Sequence, residues 1–276
     1  MKRLGTLMAL GALALGCGGE SNDSSTAQDV ELSFAAVVGD QPFVCGNTYD
    51  NLGANDTSLV LSDFRFYVQE VELKNAAGAW VPVELEENSF QNSGVALLDF
   101  ENDCGELGDP EVNDRVLGTV PAGEYDGLRF KMGVPFEINH VNSATAPSPL
   151  NLTSLFWNWQ GGYKFLRIDS GQFSATDWRM HLGSTGCVGD PMAGGVTACS
   201  NGNRTEVEFG EFDASTNTVV ADYAALVEGA ALDQDIAADA GCMSKPADTD
   251  CGPLFANLGL PFGENPAGTQ QFFSAE

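Results

Sequence analysis

The sequence predicts an all-β protein: a single β-sandwich domain of roughly ten short strands with disulfide-stapled loops. Three observations lead to this prediction. The 276-residue chain is rich in turn formers, with 32 glycines and 12 prolines. It has few segments with helical periodicity, and short segments of alternating apolar residues recur at regular turn spacing. Apolar residues make up 43% of the chain, so it can fill a core despite its net charge of -27.

The alternating segments follow one another along the chain. Strands are predicted at 30–34, 63–68, 80–85, 95–100, 116–120, 125–134, 156–169, 178–182, 206–209 and 218–221. After Val68 the apolar phase slips by one residue, which predicts a β-bulge near Gln69 and Glu70 or a change of sheet. In the segment 178–182, Arg179 and His181 should face away from the core. Helix is expected only at 222–232 and around 253–258.

The N-terminus has the pattern of a bacterial lipoprotein signal. Lys2 and Arg3 precede a short apolar run, and Leu13-Ala14-Leu15-Gly16 leads into Cys17. We therefore predict a signal peptide at 1–16, a lipidated Cys17 in a tether at 17–29, and the sandwich domain at 30–276. Gly18 in place of an aspartate favours the outer membrane, on its periplasm-facing or surface side. A plain secretory signal is the alternative.

Six further cysteines indicate disulfide bonds, because an even number is typical of an exported domain. Proximity in sequence favours the pairs Cys187–Cys199 and Cys242–Cys251, which leaves Cys45 with Cys104. No spacing matches the Cys-x-x-Cys of a zinc or redox site. Structural bonds are therefore the preferred interpretation.

Composition and missing motifs exclude several functions. A sequence pI of about 4.1 means that the surface repels phosphate, so nucleic acid is excluded as a partner. The sequence lacks the Gly-x-Ser-x-Gly, His-Glu-x-x-His and phosphate-loop motifs, which disfavours hydrolase and phosphate-binding functions. Asp233, Asp235 and Asp239 lack the spacing of a calcium loop and are interpreted as a solvated face, with calcium as the minor alternative.

The candidate site residues are two histidines and two tryptophans. His140 and His181 each lie near the predicted end of a strand, beside a loop. Imidazole is a good ligand for copper or zinc, but two imidazoles do not complete a site. Trp157 and Trp159 alternate in a predicted strand and would share one face. They could form a core pair, a sugar-binding platform or a redox-active site.

Several sequence blocks together resemble one family. The blocks are DFRFYV, PAGEYDGLRFKMGVPFEINH, PLNLTSLFWNWQGGYKFLRID and HLGSTGC, followed by Cys242 and Cys251. In this order they resemble the MbnP-like proteins, the four-Cys-motif members of the "metallo-mystery pair". The likeness runs from about Val30 to near the C-terminus. The four cysteines of the motif would be the two close pairs, with Cys45 and Cys104 as an additional pair.

The resemblance implies a function. Such proteins are encoded beside a diheme cytochrome c peroxidase-like protein, which oxidises one tryptophan to kynurenine so that the modified protein binds copper. Carried to this chain, Trp157 or Trp159 would be modified, and His140 and His181 would complete a site for one copper ion. The expected role is copper capture, storage or delivery. The chain itself is not expected to be an enzyme, because its tryptophan would be the substrate of the partner. The alternative is a surface β-sandwich that binds carbohydrate, calcium or a protein partner.

Overall fold

The structure is a computed structural model that describes residues 1, 26–104, 110–170, 177–190, 195–234 and 241–276. Cys17, the signal peptide after Met1 and residues 18–25 of the predicted tether lie outside the described residues, as do Asp235 and Asp239. Each helix in the described part of the chain is too short or too polar to traverse a lipid bilayer.

The described residues form twenty strands, three short helices and one 3₁₀ turn. The first ten strands are β1 (Ala27–Val38), β2 (Gln41–Pro42), β3 (Thr48–Leu52), β4 (Thr57–Asn75), β5 (Trp80–Pro82), β6 (Glu84–Leu85), β7 (Gln91–Asn92), β8 (Val95–Asp99), β9 (Arg115–Pro121) and β10 (Tyr125–Met132). The other ten are β11 (Phe156–Asn158), β12 (Gly162–Tyr163), β13 (Leu166–Ser170), β14 (Arg179–Leu182), β15 (Thr185–Asp190), β16 (Gly195–Asn201), β17 (Thr205–Phe209), β18 (Thr218–Asp222), β19 (Gly241–Cys242) and β20 (Phe273–Ala275). The helices are α1 (Phe136–Asn139), α2 (Tyr223–Leu226) and α3 (Cys251–Asn257), and the 3₁₀ turn is Thr153–Leu155.

Two sheets pack face to face. The smaller has the order β20-β18-β1-β9-β6, and the larger has the order β17-β10-β4-β13-β14-β19 with β3, β5 and β8 also paired to β4. Phe34 of β1 contacts Phe66 and Phe130 of the other sheet at ring-centroid distances of 6.2 and 5.8 Å. Phe273 of β20 meets the same two rings at 5.4 and 5.3 Å. Aromatic side chains that alternate toward the interior therefore join the two layers.

The predicted class, a disulfide-stapled β-sandwich, is confirmed. The predicted bulge is also present: β10 pairs Arg129 with Glu72 but Lys131 with Gln69, which leaves an extra residue in β4. Glu70 takes a φ of 48° at this point. The bulge shifts the alternation of apolar side chains between the two faces of β4 by one residue. The strand does not end there and extends over 19 residues.

Several predicted boundaries are wrong. β1 begins at Ala27, so the predicted tether to Asp29 extends into a strand whose residues Ala27 to Ser33 pair with β9. The segment 156–169 is divided into three strands, and 80–85 contributes to both sheets. The helix expected at 222–232 is only α2, which Asp222 caps by accepting a hydrogen bond from the Ala224 N–H at 2.8 Å.

The three disulfide pairs match those predicted. Cys45 is bonded to Cys104, Cys187 to Cys199 across the β15–β16 hairpin, and Cys242 at β19 to Cys251 at the start of α3. The last bond ties the chain after β19 to the helix that follows. Each bond lowers the conformational entropy of the unfolded chain and thereby stabilises the folded state.

A row of ionisable side chains crosses the larger sheet on the face opposite to the aromatic core. Asp99 of β8 lies opposite Arg65 of β4, Arg65 opposite Arg167 of β13, and Arg167 opposite His181 of β14. Arg65 is 1% exposed. We call these four residues, with the flanking Asp63 and Asp169, the charged row. His181 therefore occupies a position set by the register of four strands.

We predict that Asp99→Asn reduces the loss of stability at high pH. Burial, opposed by Arg65, raises the pKa of Asp99 from 3.8 to about 8. The folded protein therefore holds a proton here that the unfolded chain lacks between about pH 4 and 8, and stability falls as pH rises through this window. Urea unfolding at pH 5 and pH 9 should show a smaller decrease for Asp99→Asn, by on the order of a few kcal/mol. The exposed Asp40→Asn serves as control, and identical pH slopes for both variants would contradict the assignment.

Candidate metal centre

His181 is held by a buried carboxylate. Its Nε2 lies 2.6 Å from Asp169 Oδ1, while Arg167 donates to Oδ2 of the same carboxylate through Nε at 2.8 Å and Nη2 at 2.7 Å. Burial raises the pKa of Asp169, but the hydrogen bond with His181 and the Arg167 charge outweigh it and hold this pKa well below its usual range. Burial lowers the pKa of His181. The pair is thus a neutral imidazole that donates to an ionised carboxylate.

This hydrogen bond decides which nitrogen of His181 is available. Because Asp169 accepts a hydrogen bond, we assign the imidazole proton to Nε2, which leaves the lone pair on Nδ1. Within the described ranges, Nδ1 has no hydrogen-bond partner. A carboxylate that fixes the tautomer in this way is the usual support of a metal-binding histidine.

His140 is oriented by backbone and amide groups. It follows α1, and not a strand end as predicted. Its Nδ1 lies 3.1 Å from the Trp159 carbonyl oxygen, and its Nε2 lies 3.1 Å from Asn139 Nδ2 and 3.4 Å from Cys199 Sγ. Since a carbonyl only accepts, Nδ1 carries the proton. Burial lowers the pKa of His140, which keeps the Nε2 lone pair free of a proton.

The two tryptophans do not share a strand face, contrary to the prediction. β11 ends at Asn158, and Trp159 lies in the turn that leads to β12, with a relative exposure of 36%. Asn158 Oδ1 accepts from the backbone N–H groups of Gln160 at 2.9 Å and Gly161 at 2.8 Å, which closes the turn. The tight turn places the two indoles in different surroundings.

Trp157 and His181 line the same pocket. This cavity, of about 720 Å³, also contains Met243 and Cys187 in its walls. The Trp157 ring packs on Gly183, where an added Cβ would lie only 2.4 Å from the ring atom Cζ3. We call it the Trp157 pocket. His140 contacts Cys199 Sγ of the disulfide to which Cys187 belongs, whereas His140 and Trp159 are not among the residues that line the pocket.

Cysteines accompany acidic or histidine side chains at three places. The groups are His140 with Cys187 and Cys199, Glu101 with Cys45 and Cys104, and Asp248 with Cys242 and Cys251. In each group the two cysteines are bonded to one another. A disulfide sulfur lacks the thiolate charge that binds metals. The imidazoles are therefore the better ligands.

Sequence reasoning missed several residues of this site. Asp169, Lys164, Met243 and Lys245 were not recognised, although Asp169 supports His181 and the other three line the Trp157 pocket. The alternation of Arg167 and Asp169 in the segment 166–170 was the available signal, because it marks a polar face in an otherwise apolar strand. Asp233 accepts a hydrogen bond from Asn55 Nδ2 at 2.6 Å, and calcium binding there stays a prediction.

The fold and the pocket define a disulfide-stapled β-sandwich protein whose candidate site combines imidazole and indole side chains. The model of the MbnP family matches residues 27–244, and the chain belongs to this family, as its sequence blocks indicated. The solved structure of MbnP from Methylosinus trichosporium is similar, with a TM-score of 0.81 and 33% sequence identity. The match covers 91% of this chain and 98% of that chain. No curated protein matches the sequence significantly.

Gly183→Ala should displace Trp157. The added methyl group would meet the indole and the Tyr163 carbonyl oxygen, at 2.4 and 2.8 Å. We expect a loss of about 1–3 kcal/mol in unfolding free energy and a changed near-ultraviolet circular dichroism signal. Gly210→Ala is the matched control, because nothing lies within 4 Å of its Cβ. If both variants had the same unfolding free energy and the same circular dichroism signal, Trp157 would not pack on Gly183.

Proposed function

We propose that this protein is an exported, lipid-anchored copper-binding protein. One copper ion would be held by His140, His181 and the aromatic amine formed when Trp157 or Trp159 is oxidised to kynurenine. The observation that carries the proposal is the Asp169–His181 hydrogen bond, which leaves Nδ1 as the available nitrogen of a residue that lines the Trp157 pocket.

The donor set is suited to copper in its chemistry. Each histidine has one nitrogen engaged by an oxygen acceptor, Asp169 or the Trp159 carbonyl, and its other nitrogen unprotonated. Neutral imidazole is a strong ligand for copper, and the lowered pKa of each histidine favours this neutral form. Because the hydrogen bonds fix the tautomer of each histidine, each ring would offer one unprotonated nitrogen to copper.

Oxidation of a tryptophan would supply a third nitrogen. The intact indole nitrogen is a poor ligand, whereas the opened ring of kynurenine carries an aromatic amine. Trp157 lines the pocket with His181, and Trp159 is bound to His140 through its backbone oxygen. Each is therefore beside one histidine, and both stand as candidates. A diheme cytochrome c peroxidase-like partner would carry out the oxidation.

The protein itself would have no catalytic turnover, since its tryptophan is the substrate of the partner. Lipidation at Cys17 would tether the domain to the outer membrane of the cell envelope. From there the copper site could serve in capture, storage or delivery of the metal.

Copper titration of protein produced with the diheme partner tests the ligand assignment. We expect His140→Ala and His181→Ala each to abolish tight binding of one ion, followed by electron paramagnetic resonance and by competition with a chelator. Asp169→Asn should lower affinity about 10–100-fold, because the tautomer of His181 is no longer fixed. Asp40→Asn, an exposed aspartate that does not line the Trp157 pocket, should bind as the parent does. Unchanged affinity in both histidine variants would refute the site.

Mass spectrometry after co-expression tests the modification. One tryptophan should gain the mass of a single kynurenine conversion. Only one of Trp157→Phe and Trp159→Phe should abolish the gain, while Trp80→Phe, which removes an indole beneath Arg129, should leave it intact. A parent protein without any modified tryptophan would exclude this route to the copper site.

A further inference from the structure

Met243 lies beside His181 in the wall of the Trp157 pocket. β19 pairs in parallel with β14, and Met180 lies opposite Cys242 in this pairing. Opposed residues of a parallel pair point to the same face of the sheet, and successive residues alternate between the two faces. Met180 and Cys242 are both fully buried. The next residues along the two segments, His181 and Met243, therefore lie side by side on the opposite face, and both line the pocket.

Hydrogen bonds fix the backbone of Met243 next to β14. Ser244 Oγ donates to the His181 carbonyl oxygen at 2.8 Å and accepts from the Gly183 N–H at 3.2 Å. The N–H of Met243 donates to Asp248 Oδ2 at 2.9 Å. The segment that follows β19 is thus bound to β14 on one side and to the loop before α3 on the other. The position of Met243 relative to His181 is therefore set by the fold.

The imidazole of His181 has a different neighbour on each side. In the strand order β13-β14-β19, His181 of β14 lies between Asp169 of β13 and Met243, which follows β19. Asp169 accepts a hydrogen bond from Nε2 at 2.6 Å, and Nδ1 is the nitrogen that remains for a metal ion. The methionine side chain has three rotatable bonds, so its sulfur can adjust to an ion bound at Nδ1. A nitrogen and a sulfur donor are therefore available on the same wall of the pocket.

The burial of Met243 differs from that of the two methionines in β10 and β14. Met132 and Met180 are 0% exposed and pack in the hydrophobic core. Met243 is half-buried at the wall of the pocket. A methionine in a core fills space, whereas a thioether at an accessible wall keeps its lone pairs available to a ligand. The thioether is a soft donor, and soft donors favour Cu(I) among the ions that also bind imidazole.

We propose that Met243 Sδ is a ligand of the copper ion bound by His181 and makes this centre selective for Cu(I). The inference rests on the proposed function, because it adds a donor to the same ion and sets its preferred oxidation state. Thioether sulfur stabilises Cu(I), whereas nitrogen donors alone suit Cu(II). Loss of the sulfur should therefore weaken Cu(I) binding and leave Cu(II) binding nearly unchanged. A packing role would instead affect both oxidation states alike.

Copper titrations of protein co-produced with the diheme partner test this ligand. Cu(I) is titrated without oxygen in competition with bicinchoninate, and Cu(II) in competition with nitrilotriacetate. Met243→Leu keeps a similar side-chain volume but removes the sulfur. In this variant Cu(I) affinity should fall by at least about ten-fold, the loss that even an outer-shell partner of a ligand causes, while Cu(II) affinity stays close to that of the parent. X-ray absorption of the Cu(I)-loaded parent should show a sulfur neighbour that is lost in Met243→Leu.

Met132→Leu is the matched control, because Met132 is buried in the core and does not line the pocket, and it should bind Cu(I) as the parent does. Equal Cu(I) affinity of Met243→Leu and the parent, or a parent spectrum without a sulfur neighbour, would overturn the inference alone. An equal loss of Cu(I) and Cu(II) affinity in Met243→Leu would also overturn it. A parent that binds neither ion would overturn the proposed function and this inference together. His181→Ala should lose both ions, which distinguishes loss of the whole centre from loss of the sulfur.

Discussion

The arrangement of the site depends on one buried carboxylate, Asp63, which binds two arginines at once. Arg65 Nε donates to Oδ1 at 2.9 Å, and Arg167 Nε lies 3.1 Å from Oδ2. Arg167 also binds Asp169, the partner of His181. Loss of one member would leave another charge buried without its partner, which costs about 3–5 kcal/mol. The charged row therefore locks neighbouring strands in one register.

The opposite end of the row is tied to a disulfide. Arg65 Nη1 lies 3.8 Å from Glu101 Oε1, and the backbone N–H of Cys104 donates to Glu101 Oε2 at 3.3 Å. Cys104 is bonded to Cys45. Covalent and ionic constraints thus run from this loop across the sheet to His181. Burying charged groups costs free energy, but it fixes the position of His181 more tightly than apolar packing would. This is consistent with a function that requires a defined position of the histidine.

The sequence predicted the local features well, because those depend on neighbouring residues. Alternation identified the outward face that carries Arg179 and His181, and the phase slip located the bulge at Glu70. It could not reveal the charged row, since Asp99, Arg65, Arg167 and His181 come from four separate strands. Only the strand order brings them together. The position of Trp159 was missed because the hydrogen bonds of Asn158 end β11 earlier than the apolar pattern indicates. The net charge of the sequence indicated an acidic surface. It could not show that three cationic side chains line one pocket, because that depends on the fold.

The central claim is that Asp169 holds His181 as a neutral imidazole with its proton on Nε2 and its lone pair on Nδ1. Nitrogen-15 NMR of the labelled histidine rings measures this directly, because protonated and unprotonated ring nitrogens differ in chemical shift. At pH 7 the account predicts a protonated Nε2 and an unprotonated Nδ1 for His181, assigned by comparison with His181→Ala. A proton on Nδ1, or an imidazolium signal at this pH, would contradict it.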